Sequence, residues 1–145
     1  MKLEHNYNHI VFPEDANHMG TIFGGKLVSI IDLAVAQHTM FLLKEENSKC
    51  DDAVTVNFSE INFHFGAVVG DLLTIESVLD RIGIKSMAFS FWVRRLSDNR
   101  LIATGKTTFV ARKNGIAHPH GIDTFKREVG TFLISAGDFK ATVEA

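Results

Sequence analysis

Residues 20–44 read GTIFGGKLVSIIDLAVAQHTMFLLK. After Gly24 and Gly25 the run carries Leu27, Val28, Ile30, Ile31, Leu33, Ala34, Val35, Ala36, Met40, Phe41, Leu42 and Leu43, with no proline to interrupt it. That composition predicts a helix of about five turns. Because apolar residues fall on almost every side, it also predicts a helix buried all round. Asp32 stands in its middle. An ionised carboxylate is costly to remove from water without a partner, so its place on this helix calls for a chemical reason.

On the N-terminal side, residues 3–12 allow a first strand that Pro13 stops. PEDANHMG then forms a polar loop with Asp15, Asn17 and Gly20 as turn formers. On the other side Lys44, Glu45, Glu46 and Asn47 end the helix, and from Asp52 the pattern changes to alternation. AVTVNFSEINF places Val54, Val56 and Phe58 on one face; Ile61 and Phe63 fall out of phase, which predicts a bulge near Ser59 and Glu60. LLTIESVLDRI turns Leu73, Ile75 and Leu79 to one side, and SMAFSFWVRRL does the same with Met87, Phe89, Phe91 and Val93. RLIATGKTTFVAR follows a hairpin at Ser97, Asp98 and Asn99.

One long helix and about five mainly antiparallel strands make an α+β pattern, a curved sheet wrapped around the helix. With 145 residues and no linker, the chain reads as one domain, 1–145. Residues 121–145 read as a helical tail, with Asp123 as cap, an apolar stripe of Phe125, Val129, Phe132 and Leu133, and Gly137 as its end.

Composition narrows the function classes. A hydrophobic share of 46% against 22% charged residues supports a packed core and excludes a disordered chain. The formal net charge of -2 leaves no footprint for nonspecific nucleic-acid binding. Cys50 is the single cysteine, so no intrachain disulfide forms and a reducing compartment is expected; no role is assigned to it. The N-terminus carries no signal-peptide core, and Ser29 and Asp32 break the longest apolar run, so the expectation is a cytoplasmic protein without a membrane span. His5 with His9 and His118 with His120 match no zinc pattern and are expected to be solvated surface residues.

The segment PEDANHMGTIFGGKLVSIID, Pro13 to Asp32, strongly resembles the hotdog-fold acyl-CoA thioesterases of the YciA and cytosolic acyl-CoA hydrolase type. The resemblance runs on through Val69-Gly70-Asp71, the stretch Arg81 to Met87, and Thr107 to Ala111, covering roughly residues 7 to 115. It implies hydrolysis of acyl-CoA to a free acid and coenzyme A, with Asn17, Gly24, Gly25 and Asp32 at the reaction centre. It implies coenzyme A binding at Arg81, Gly83, Lys85 and Ser86, no further cofactor and no metal. It also implies a site lying across a homodimer, with trimers of dimers common among relatives. Relatives usually carry prolines and a lysine where this chain has His64, Phe65, Gly66, Ala67 and Val68, and often a threonine at the place of Lys85. Those departures touch loop shape and the nucleotide end of the ligand and leave the Asn, Gly-Gly and Asp set intact.

The residues themselves support parts of this chemistry. A helix N-terminus has unpaired N–H groups and a dipole that favours negative charge, so the amides around Gly24 and Gly25 suit the oxygen of a thioester carbonyl. The bland reading is that the glycines permit only a tight turn or close packing. Asp32 would act as general base or as nucleophile, or else be a paired core carboxylate. Asn17 would orient water or thioester, or simply serve its turn. Arg81 and Lys85 suit phosphate, though a solvated hairpin turn would hold the same residues. Eight helical positions separate Gly24 from Asp32 by about 12 Å, too far to meet on one carbon, so two protomers are expected to share the site. Ile31, Met40, Phe58 and Phe89 are candidates for an acyl channel. Two other functions compete: a hotdog dehydratase or hydratase, for which His18 would be the partner of Asp32, and a non-catalytic acyl-CoA sensor.

Overall fold

The computed structural model describes residues 1–122. The expected tail helix, with Asp123 and its apolar stripe, lies outside the described residues. Within them the order is β1 (Glu4–Ile10), a 3-10 turn (Pro13–Asp15), α1 (Gly24–Glu45), β2 (Asp52–Phe63), β3 (Leu72–Ile82), β4 (Ser86–Arg95), β5 (Arg100–Lys113) and β6 (Ile116–Ala117). The strands form one antiparallel sheet in the order β1-β3-β4-β5-β2, with the short β6 hairpinned onto β5. This is the hotdog arrangement, one long helix against a mainly antiparallel sheet.

The helix packs by one face. Its buried residues are Leu27, Ile30, Ile31, Ala34, Val35, His38, Thr39, Leu42 and Leu43, the three-and-four spacing of a single stripe. They meet Leu73, Ile75 and Leu79 of β3, Met87, Phe89, Phe91 and Val93 of β4, and Phe109 of β5 in one core. The expectation of burial all round fails: Leu33, Met40 and Phe41 are 54%, 51% and 43% exposed on the opposite side. The reason is geometric, since one sheet can cover only one side of a cylinder. By length and hydropathy alone α1 could also cross a bilayer, and half of its most apolar window is buried within the fold. Its C-terminus closes in a Schellman arrangement, with Asn47 at φ 52, its N–H on the Lys44 carbonyl and the Ser48 N–H on that of Leu43.

β2 departs from its predicted phase. The bulge near Ser59 and Glu60 is present, with a register shift between Ser59 and Asn62 and φ 54 at Glu60. A second shift lies between Thr55 and Asn57 and was not legible as an interruption of the alternation. The extra residue there re-aims the strand. Ala53, Phe58 and Ile61 pack against the core and Thr55 reaches the helix, whereas Val56 is 55% exposed. Val54, Val56 and Phe58 therefore do not form one inward face.

His38 is the polar member of the buried stripe. Its Nε2 donates to the Lys2 carbonyl at 2.7 Å, and its Nδ1 accepts from Ser77 Oγ at 2.8 Å. Burial pushes its pKa down to about 4; the Lys2 carbonyl opposes that shift, and the charges of His5 and Lys2 add to it. The folded protein thus holds this ring neutral, while the unfolded chain takes up a proton below about pH 6.5. The resulting stabilisation, about 3 kcal/mol, is complete above pH 6.5 and is lost as pH falls toward 4. Urea unfolding followed between pH 7 and pH 4 should show that decline in wild type and a shallower one in His38→Gln, where the buried His120, also held below its ordinary pKa, still contributes. An unaltered slope in the variant would contradict the assignment.

Candidate functional site

Asp32 lies two turns into α1 and is half-buried. Its Oδ1 accepts a short 2.5 Å hydrogen bond from Thr55 Oγ1. Thr55 lies inward in phase with Ala53, its cross-strand partner being the buried Phe109, and the bulge that follows it turns Phe58 to the same face. Among the described residues Asp32 makes no ion pair, and no histidine is hydrogen-bonded to it. A paired core carboxylate is therefore not what the helix carries: one oxygen is anchored by a neutral hydroxyl, which leaves the other for a proton or an electrophile.

Gly24 and Gly25 begin the helix. Phe23 precedes them with extended backbone and gives no side-chain cap to the first N–H groups. Both glycines are exposed and have negative φ, and a Cβ at Gly25 would meet nothing within 4 Å. At Gly24 a Cβ would make ordinary contact with the Phe63 ring at 3.6 Å. Neither a tight turn nor packing within this chain requires glycine here. What the missing side chains leave free is access to the backbone from outside.

The loop that delivers the chain to Gly24 is held by a carboxylate that the sequence reading treated as a turn former. Asp15 is 2% exposed. Its side chain accepts from the Phe12 N–H at 2.9 Å and from His9 Nε2 at 2.7 Å, with Lys26 Nζ at 3.5 Å, while its carbonyl accepts the Phe23 N–H at 3.0 Å. Burial works against its charge, yet the Phe12 N–H, the His9 ring and Lys26 together keep the pKa below the usual carboxylate range. Asn17 completes the loop. Its Oδ1 accepts from the Met19 and Thr21 N–H groups at 2.9 and 3.1 Å, so the carbonyl half serves the turn and the amide nitrogen is the half available to a ligand. His18 is exposed in the same loop.

Beside Gly24 opens a cleft of about 340 Å³. Ile22 and Leu27 lie buried at its base, and the run from Phe63 to Gly66 forms its wall. Nothing in the sequence reading pointed to it, since the chain after β2 carries no periodic signal. The proposed acyl channel is elsewhere in the fold: Ile31 and Phe89 are fully buried core, Phe58 packs edge-on against Phe91, and Met40 faces outward.

Arg81, Gly83, Lys85 and Ser86 lie where β3 turns into β4. Arg81 and Lys85 are exposed, as phosphate ligands would be. Gly83 has an internal explanation, because a Cβ there would collide with Ser86 Oγ across the turn, whose backbone closes through the Gly83 N–H on the Ser86 carbonyl at 2.9 Å. This turn does not approach Gly24 in the same protomer. Lys85 is bonded to Ala111 of β5, whereas Phe63 beside Gly24 is paired with Ala103, about 27 Å along the strand. Asp32 lies nearer the turn, since Thr55 is paired with Phe109.

The remaining histidines differ from expectation. His9 is tied to Asp15, the His5 ring to Gln37 at 2.7 Å, and His120 is 3% exposed with its ring on the Ser86 carbonyl at 3.2 Å. They are bonded into the structure instead of being solvated: His5 and His9 point from β1 toward α1 and the Asp15 turn, and His120 folds back onto the β3–β4 turn. Cys50 packs with its Sγ 3.5 Å from the His118 and Pro119 carbonyls.

A sequence model of the thioesterase superfamily matches residues 19–102. Among solved structures, an apo-hexameric acyl-CoA thioesterase is 26% identical with a TM-score of 0.70, the alignment covering 99% of this chain and 92% of that one. An acyl-CoA hydrolase from Staphylococcus aureus, determined with butyryl coenzyme A, coenzyme A and coenzyme A disulfide, is 24% identical with a TM-score of 0.68 over 97% of this chain and 87% of that one. A Streptococcus mutans protein bound to acetyl CoA is 20% identical with a TM-score of 0.64, covering 77% and 83%. No curated protein sequence matches the chain.

Replacing Asp15 by Asn preserves shape but removes the charge and one acceptor site from three donors. The expected loss is about 1–3 kcal/mol of unfolding free energy, measured by urea at pH 7. Because the folded pKa of Asp15 is depressed, the difference should persist above pH 4 and shrink as pH falls below it.

Proposed function

The chain belongs to the thioesterase superfamily, and on that premise we propose that it hydrolyses acyl-CoA thioesters to a free carboxylic acid and coenzyme A. The observation that carries the reading is Asp32, a half-buried carboxylate on an apolar helix that a single hydroxyl anchors and no cation neutralises among the described residues. In the reaction the thioester oxygen accepts the Gly24 and Gly25 N–H groups, which are best placed to stabilise it when it becomes negative. Asn17 orients the thioester or the water through its amide nitrogen. Asp32 takes the proton of the attacking water, or attacks the carbonyl itself, with Thr55 keeping its carboxylate in line.

Two protomers make each site. A helix fixes Gly24 and Asp32 about 12 Å apart, so the amides and Asn17 of one chain serve the Asp32 of another. Support for a homodimer comes from the uncovered apolar side of α1, where Leu33, Met40 and Phe41 stand in water in a lone protomer. Further assembly to a trimer of dimers is the form suggested by the hexameric neighbour. In the Staphylococcus aureus hydrolase, structures exist with an asparagine or an aspartate changed to alanine, and those two positions are as far apart in sequence as Asn17 and Asp32. Coenzyme A would lie toward Arg81, Lys85 and their turn on the protomer that supplies Asp32. The reading asks for no metal and no cofactor beyond the coenzyme A of the substrate, and it places the enzyme in the cytoplasm without nucleic-acid or membrane partners. A hydratase role is less well supported, for it needs a histidine beside the carboxylate.

Free-thiol release from acyl-CoA substrates tests the activity. Asp32→Asn should lower kcat by about 10²–10⁴-fold, the range of a general base. Mixing inactive Asp32→Asn protein with inactive Asn17→Ala protein, after subunit exchange verified by mass, should restore activity to about a quarter of wild type, since half the dimers carry one intact site of two. No recovery on mixing would place all the catalytic groups within one chain. A protein that binds acyl-CoA equally with and without Asp32 and releases no thiol would be a sensor.

A further inference from the structure

The cleft beside Gly24 is open to solvent and walled on one side by aromatic residues. β2 stops at Phe63, and the His64 and Phe65 N–H groups both turn onto the Ile102 carbonyl, at 2.8 and 3.3 Å, so three ring-bearing residues in succession stand around one opening. The His64 ring is fixed through Nε2 to Thr104 Oγ1 at 2.9 Å. Phe65 is braced from behind by the Arg100 guanidinium, 4.4 Å from its centroid, and Arg95 donates to the Gly66 carbonyl at 3.1 Å. Asp98 joins the two arginines, through a bidentate pair with Arg95 and a 3.9 Å contact to Arg100. Outside the rings there is therefore a braced cluster of charge.

The position of the cleft determines what enters it. A thioester carbonyl seated on the Gly24 amide directs one of its two substituents here. The thiol limb carries amides and phosphates, which need donors and cations, and no lysine, arginine, aspartate or glutamate lines this cleft. An apolar group suits it. Its volume of about 340 Å³ is at the low end for ligand pockets, which suits an acyl group of short to medium length. A longer chain would have to pass the rings and strip water from the Arg95–Asp98–Arg100 cluster, or extend into solvent, and both are unfavourable.

We infer that this cleft receives the acyl group, that the substrates are thioesters of short to medium chain length, and that Phe63 and Phe65 set the upper limit. The inference rests on the thioester-hydrolase reading of the same site. It also explains why two phenylalanines are left 53% and 50% exposed where the core has no use for them.

The experiment is a kcat/KM profile by free-thiol release over acetyl-, butyryl-, hexanoyl-, octanoyl-, dodecanoyl- and palmitoyl-CoA, for wild type, Phe63→Ala and Phe65→Ala. Wild type should peak between four and eight carbons and fall at least about tenfold by palmitoyl-CoA. Either alanine variant should move the peak to longer chains and raise the palmitoyl-to-butyryl ratio about 3- to 10-fold, a gain that general damage to the fold would not produce. A wild-type preference for palmitoyl-CoA, or variants whose profiles keep the wild-type peak, would overturn this inference while leaving the hydrolase reading in place. Release of thiol from none of the six would overturn both.

Discussion

The structure depends on one packing arrangement, a single face of a 22-residue helix laid into the concave side of an antiparallel sheet. Burying nine residues of α1 against the sheet fixes the helix in position and in rotation. Everything of chemical interest is then measured along it. Gly24 opens the helix at one end of the sheet, and Asp32 stands about 12 Å further on. A rigid helix cannot shorten that interval, which is why the site is read as shared between two chains. The same packing leaves Leu33, Met40 and Phe41 uncovered on the opposite side of the helix, beside Ser29 and Gln37, and so supplies the surface through which two chains would meet.

Along the sheet there is a matching division of labour. One end holds the Gly24 amides, the Asn17 loop and the aromatic cleft; the other holds the basic β3–β4 turn, with Asp32 and Thr55 nearer to it. Strand length separates them in one protomer, and a two-fold partner in antiparallel orientation would bring unlike ends together. In the proposed dimer the cleft of one chain would then face the basic turn of the other.

Buried polar groups keep these ends in place. Asp15 gathers β1 through His9, the start of α1 through Lys26 and the chain before Gly24 through Phe23, all by charge-assisted or backbone hydrogen bonds. His38 ties the middle of the helix to β3 and to the N-terminal segment. Each is tolerated in the interior because its hydrogen-bonding capacity is met there. Asp32 differs in kind: it is only partly covered and only partly bonded, as the proposed general base or nucleophile would need to be.

The sequence by itself determined the elements and their class. A proline-free, mainly apolar run of about five turns marked the helix, and strict alternation in β3 and β4 correctly named Leu73, Ile75, Leu79, Met87, Phe89, Phe91 and Val93 as inward residues. Asn17, Gly24, Gly25 and Asp32 were legible as a motif. Tertiary structure decided the rest. Whether α1 is covered on one side or all round depends on how many layers enclose it, which no helical period records. The phase of β2 depends on a bulge after Thr55 that only pairing with β5 reveals, and with it goes the inward turn of Phe58. The clamp at Asp15 and the braced rings at Phe63 and Phe65 join residues distant in the chain, His9 with Lys26 and Phe65 with Arg100. Local sequence carries no trace of such meetings, because they arise from where the sheet places its ends.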